Sequence, residues 1–275
     1  MPDDSIADPI RPTRWPLLIA LGFGIDFLDT LGVGSFATTT TALKLGNLVE
    51  DEDIPGTLNV GHSLPTILEA ILYITVIQVE IVTLVSMIAA GAIGAWFGAG
   101  IVSQLPRRKI QLGMAVALLV TAVFITLRQL HLFPPGGDAL GLTGGAFIAG
   151  VTTNLILGSL ATLGIGNYAP SMAVVSILGM NPTTAFPIMM GSAALILPAA
   201  GIRFMKSGRY DRPTALAMTL GGIPGVLVAA FIVKSLPLDA VRWLVVGVLI
   251  YTSVMMWRSA QAEARQGAAR SAVAS

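Results

Sequence analysis

The sequence predicts an all-α polytopic membrane protein built from two homologous repeats, each a glycine-broken helical hairpin plus three transmembrane helices, with the halves inverted. Three observations carry this. Of 275 residues only 11% are charged, against about 25% in a soluble domain. Apolar stretches recur at the length of about 20 residues that spans a bilayer. The two longest stretches are each interrupted by glycines, about 132 residues apart.

In chain order, spanning stretches run from Thr57 to Gln78, Ile81 to Gln104, Ile110 to Leu130, Pro182 to Phe204, Pro213 to Val233 and Asp239 to Trp257. Two further segments, Trp15 to Gly46 and Gly141 to Met180, are too long for one crossing. As helices they would reach about 48 and 60 Å across a core of about 30 Å, so each must break or fold back. Leu31-Gly-Val-Gly-Ser35 interrupts the first, and Leu163-Gly-Ile-Gly-Asn167 the second. Gly94 to Pro106 aligns without gaps on Gly225 to Pro237, sharing Gly, Ile-Val and Leu-Pro. The chain therefore divides into a cytoplasmic tail (1–14), a first repeat (15–130), a connecting loop (131–140), a second repeat (141–257) and a cytoplasmic tail (258–275). Repeats with interrupted helices are the signature of secondary transporters, whose broken segments meet near the midplane.

Orientation follows from the basic residues. If the broken segments re-enter, Lys and Arg divide 13 to 3 between the two sides, against 10 to 6 if they cross. The sharper split favours inverted halves in the plasma (inner) membrane, with both termini cytoplasmic.

Several classes of function are disfavoured. Sixteen basic and fifteen acidic residues leave no electrostatic footprint for nucleic acid. With no cysteine there is no disulfide or thiolate site. The G-x-G-x-x-A strings at Gly32 and Gly164 lack the βαβ setting of a dinucleotide fold, and no metalloprotease, nucleophile-elbow or P-loop motif occurs. No cofactor, metal or catalytic residue is expected. The partners expected are a small anion, lipid and protons. A passive anion channel remains the main alternative and an intramembrane enzyme a remote one; oligomeric state is left open.

A glycine turn that opens a helix leaves free N–H groups and a positive dipole end, a natural cradle for an anion. Candidate substrate-binding residues in the first half are Gly32, Gly34, Ser35, Thr38 and Thr39, with Asn59, His62 and Ser63 opening the next helix. In the second half they are Gly164, Gly166, Asn167, Tyr168 and Ser171, with Gly191 and Ser192. Small-residue packing between helices is the competing explanation. Asp26, Asp29 and Glu69 fall at membrane depth, where ionisable groups are costly and face a cavity or partner. Coupling to protons and capping of the hairpin are equally weighted readings for the two aspartates.

The arrangement resembles the TauE/SafE sulfite exporter family, also known as toluene sulfonate uptake permeases. The resemblance rests on Asp26 to Lys44, Thr162 to Ser192, Gly208 to Leu238 and the duplicated spacing. It implies export of sulfite, sulfoacetate or another organosulfonate. Many members read G-x-G-G-G at the first break, where this chain has Gly32-Val-Gly-Ser35.

Overall fold

A computed structural model gives the structure of the protein and describes residues 14–31, 34–132, 135–163, 168–232 and 238–273. Eleven α-helices and one 3₁₀ turn are present among them: α1 (Trp15–Thr30), α2 (Ser35–Leu45), α3 (Ile54–Gly61), α4 (Ser63–Val76), α5 (Ile81–Val102), α6 (Arg107–Gln129), α7 (Gly144–Ala161), α8 (Tyr168–Ile177), the 3₁₀ turn Pro182–Thr184, α9 (Ala185–Ser207), α10 (Arg212–Ile232) and α11 (Leu238–Val273). Five of the described helices are long and apolar enough to cross a membrane, and Ser63–Thr75 is a shorter apolar one.

Local chemistry sets the ends. Glu80 caps α5 by accepting from the N–H groups of Val82 and Thr83, satisfying two of the donors every helix start leaves free. Asp211 caps α10 through the N–H of Thr214. Helix α9 stops at Gly208, whose left-handed φ of 68° suits a residue without Cβ. Both glycine-broken segments do divide, α1 from α2 and α7 from α8.

The stretch expected to cross as one helix from Thr57 is split at His62 into α3 and α4. Pro65 is the cause. It has no N–H to offer the carbonyl of Gly61 four residues back, and its ring crowds that carbonyl. Thr219 of α10 supplies the missing donor, its hydroxyl lying 2.6 Å from Gly61 O. The C-terminal region expected as a tail continues α11 to Val273, as its Ala, Glu, Gln and Arg content favours.

Packing relies on glycine where backbones nearly touch. A Cβ on Gly22 of α1 would lie 2.4 Å from the carbonyl oxygen of Met218 in α10, and one on Gly225 of α10 would lie 2.4 Å from Phe23 O. Helices α5 and α7 meet in the same manner, Gly94 against Leu155 O at 1.9 Å and Gly158 against Gly91 O at 2.0 Å. The matched positions advance together along both helices, so α1 runs parallel to α10 and α5 to α7. Helix α9 lies among α3, α4, α5, α7 and α8, with Ile188, Ile196 and Leu197 fully buried. Around the perimeter the pattern reverses: Ile81, Phe97, Ile101, Ile148 and Phe231 are exposed. Apolar faces of that extent belong against lipid.

One end of the bundle is ionic. Asp51 accepts both from Lys44 Nζ, at 2.6 and 2.7 Å, and from Gln111 Nε2 at 2.8 Å. Arg107 pairs with Glu50 and Arg209 with Glu52. Arg14 before α1, Lys44 at the end of α2, Arg107 at the start of α6 and Asp211 at the start of α10 line one pocket of about 350 Å³. Half-buried Asp53, in the same pocket, is raised above the ordinary carboxylate range, chiefly by burial and then by the charge of Glu52.

Candidate functional site

The split at His62 turns an imidazole into the middle of the bundle. Its Nδ1 lies 2.7 Å from Asp26 Oδ1 of α1, and its Nε2 lies 2.7 Å from Thr39 Oγ1 of α2. Asp26, Thr39 and His62 are all fully buried. One chain of hydrogen bonds thus ties α1, α2 and the α3–α4 break together. A carboxylate on one ring nitrogen and a hydroxyl on the other let the ring hold or release a proton without moving.

A second carboxyl lies on the same face of the next turns. Glu69 Oε1 is 2.7 Å from Thr30 Oγ1, and the same hydroxyl is 2.8 Å from the carbonyl oxygen of Asp26. The Tyr73 hydroxyl donates to Thr30 O at 2.5 Å. Asp26 Oδ2 and Glu69 Oε2 are buried with no hydrogen-bond partner among the described residues. Three carboxyls, with Asp29, therefore gather in one buried region, where a single imidazole is bonded to one of them. That is a costly arrangement in the apolar interior unless charge is supplied or protons are held.

Asp29 has a different task. It accepts hydrogen bonds from both the hydroxyl and the backbone N–H of Ser35, so this carboxylate caps the N-terminus of α2. The dipole end expected to face an anion already holds one from its own chain. Gly34, immediately before α2, has φ 92° and ψ 127°, a backbone open to glycine and strained for other residues.

The structure thus brings Asp26, Asp29, Ser35, Thr39, His62 and Glu69 into one region, and turns other candidates elsewhere. Thr38 bonds to the carbonyls of Gly34 and Ser35. Asn59 donates to Pro55 O, and Ser63 to Asn59 O, both within their own helical turn. Gly191 packs against Ile88 and Ile74. Ser192 accepts from Asn154 Nδ2 at 2.8 Å, and Asn154 also reaches Met87 O, making a polar clasp between α5, α7 and α9. Ser171 is buried on α8. Gly32, Gly164, Gly166 and Asn167 lie outside the described residues, as does the side chain of Tyr168.

Three participants were not singled out from sequence. Thr30 and Tyr73 follow Asp26 and Glu69 by four residues, the spacing that shares a helix face, and that signal was available. Asn154 corresponds in the repeat to Gly22, so no polar mate marks it. Among the described residues, no group of three or more His, Asp or Glu is placed to hold a metal.

An all-helical bundle, apolar outside and with ionisable groups buried between its helices, defines a polytopic membrane protein. The chain belongs to the sulfite exporter TauE/SafE family, whose model matches residues 3–125 and 142–275. Members are membrane transporters of sulfur-containing anions and not enzymes. No curated protein and no solved structure gives a significant match.

Proposed function

We propose that this protein is a proton-coupled exporter of a small sulfur oxyanion such as sulfite, sulfoacetate or another organosulfonate. The observation that carries the reading is the buried Asp26–His62–Thr39 chain, which joins the glycine-broken hairpin to the next helix. An anion can enter a region holding three carboxyls only if protons offset their charge. Transport of the anion and movement of protons are then one process. Uptake of a proton by Asp29 releases the Ser35 hydroxyl and N–H that it holds, and these, with Thr39, then serve the sulfonate oxygens.

The same reading takes the broken segments as re-entrant and the halves as inverted, with both termini cytoplasmic in the plasma membrane. Support comes from the pocket shared by Arg14 and Lys44, since α2 then ends on the side where α1 began. The glycine contacts support the repeat. Gly225 against Phe23 corresponds to Gly94 against Leu155, Gly22 against Met218 to Asn154 against Met87, and Gly222 against Asp26 to Gly158 against Gly91. Each partner is shifted by 131 or 132 residues and the halves exchange roles.

Purified protein should be heat-stabilised by sulfite or sulfoacetate through mass action, and not by organic cations of similar size. Equal stabilisation by both classes, or by neither, would overturn the assignment of an anionic substrate. An impermeant thiol reagent should label a cysteine placed at Asp138 from outside the cell, and spare cysteines at Arg108 and Ser207.

A further inference from the structure

Thr30 stands between two oxygen atoms and has one hydrogen to give. Its hydroxyl is 2.8 Å from Asp26 O and 2.7 Å from Glu69 Oε1, and a hydroxyl donates once while accepting through its lone pairs. Both contacts are hydrogen bonds only if the proton arrangement suits them. When Glu69 carries a proton, its O–H donates to Thr30 Oγ1, and Thr30 turns its own hydrogen to the Asp26 carbonyl. When Glu69 is ionised, Thr30 must give that hydrogen to the carboxylate, and the Asp26 carbonyl loses its extra donor. Glu69 has no alternative, because its other oxygen is buried without a partner among the described residues.

We propose that Thr30 is a positioning residue for proton coupling: its hydroxyl reverses direction with the protonation of Glu69 and passes that state to the C-terminal end of α1. The inference rests on the transport reading above. Thr30 is the last residue of α1, and its carbonyl is held from α4 by the Tyr73 hydroxyl. A change at Glu69 is therefore felt on both sides of the residue that begins the glycine turn. The groups facing this hydroxyl are few. Helix α1 contributes Asp26 and Asp29, and α4 contributes Glu69 and Tyr73, with His62 at its start. Helix α2 contributes Ser35 and Thr39. From α9, Phe186 stacks on Tyr73 at 5.5 Å between ring centroids, and α10 presents Gly222 beside Asp26.

The test compares Thr30→Val, which keeps the shape and removes the hydroxyl, with Thr30→Ser, which restores it. In proteoliposomes the pH of half-maximal sulfite or sulfoacetate transport should move upward by about one unit in Thr30→Val, because a donor to the ionised carboxyl is worth more than one to the neutral form. Thr30→Ser should return it. In purified protein, the infrared carbonyl band of protonated Glu69, identified by its loss in Glu69→Gln, should shift to higher frequency in Thr30→Val and not in Thr30→Ser. Thr30→Ala serves as a second variant if Thr30→Val does not insert. An unchanged midpoint and an unchanged band in the hydroxyl-free variant overturn the proposal. Failure of the parent protein to move any sulfur oxyanion would instead overturn the transport reading, and the infrared band would still decide the role of Thr30.

Discussion

Replacing Gly222 with alanine tests how packing positions the site. A Cβ there would stand 2.0 Å from Asp26 Oδ2 and 2.6 Å from Pro65 Cγ, where ordinary contact begins at 3.4 Å. The carboxylate must retreat by roughly 1.4 Å, or α10 must withdraw from α1 and α4 by a similar distance. The first movement breaks the 2.7 Å bond between Asp26 and His62, and the second opens the close contact of α10 with α1 that encloses the pair. Overpacking costs about 1–3 kcal/mol, the charged hydrogen bond contributes about 1.5–3 kcal/mol, and alanine returns up to about 1 kcal/mol of helix propensity. The expected net loss is about 3 kcal/mol. Unfolding by SDS in mixed micelles measures it, with two controls. Gly24→Ala in α1 has nothing within 4 Å of the new carbon and should be neutral or slightly stabilising. Gly91→Ala, the repeat counterpart, meets only side-chain ends at 3.2 and 3.3 Å and should cost less than about 1 kcal/mol. Gly222→Ala with parental stability and transport would refute the claim that this glycine makes room for the Asp26–His62 pair.

Gly34→Ala should cost about 1–2 kcal/mol in the same assay. The space around it is open, so the whole cost comes from its φ of 92°; a neutral result would mean that the turn relaxes. Asn154→Ala should lose about 1–3 kcal/mol, because its side-chain bonds to Met87 and Ser192 go together; this too is read by SDS unfolding. At the opposite end of the bundle, the N–H of Thr83 and then that of Val82 hold exposed Glu80 below the ordinary glutamate range. The folded value lies below the unfolded one, so the contribution is present above about pH 4.3 and lost as pH falls through the folded value. Glu80→Gln should therefore flatten the acid side of the stability profile, and an unaltered profile would contradict the cap.

Much of this was legible in the sequence wherever the signal was local. The two long apolar segments could not cross as single helices, and the glycines marked where they break; Gly34, with its positive φ, is a position that glycine alone fills without strain. The membrane-depth acids Asp26, Asp29 and Glu69 were visible as anomalies of composition. What they touch was not, because His62 lies 36 residues from Asp26 and 23 from Thr39, and no periodicity encodes such a distance. The interruption at His62 was hidden for a related reason. Pro65 sits in a run that reads as continuous apolar helix, and the donor that repairs its lost bond, Thr219, lies 158 residues beyond Gly61. The capping of α2 by Asp29 crosses the glycine turn, which ordinary capping patterns do not span.

The central claim is that the buried Asp26–His62 pair links protons to movement of a sulfur oxyanion. Sulfite and sulfoacetate flux should be measured in proteoliposomes under an imposed pH gradient, with the membrane potential clamped, for the parent protein, Asp26→Asn and His62→Gln. The parent should accumulate substrate against its concentration gradient, and both variants should fall to equilibration or lose transport. Accumulation by Asp26→Asn and His62→Gln equal to that of the parent, driven by the same pH gradient, would contradict the account.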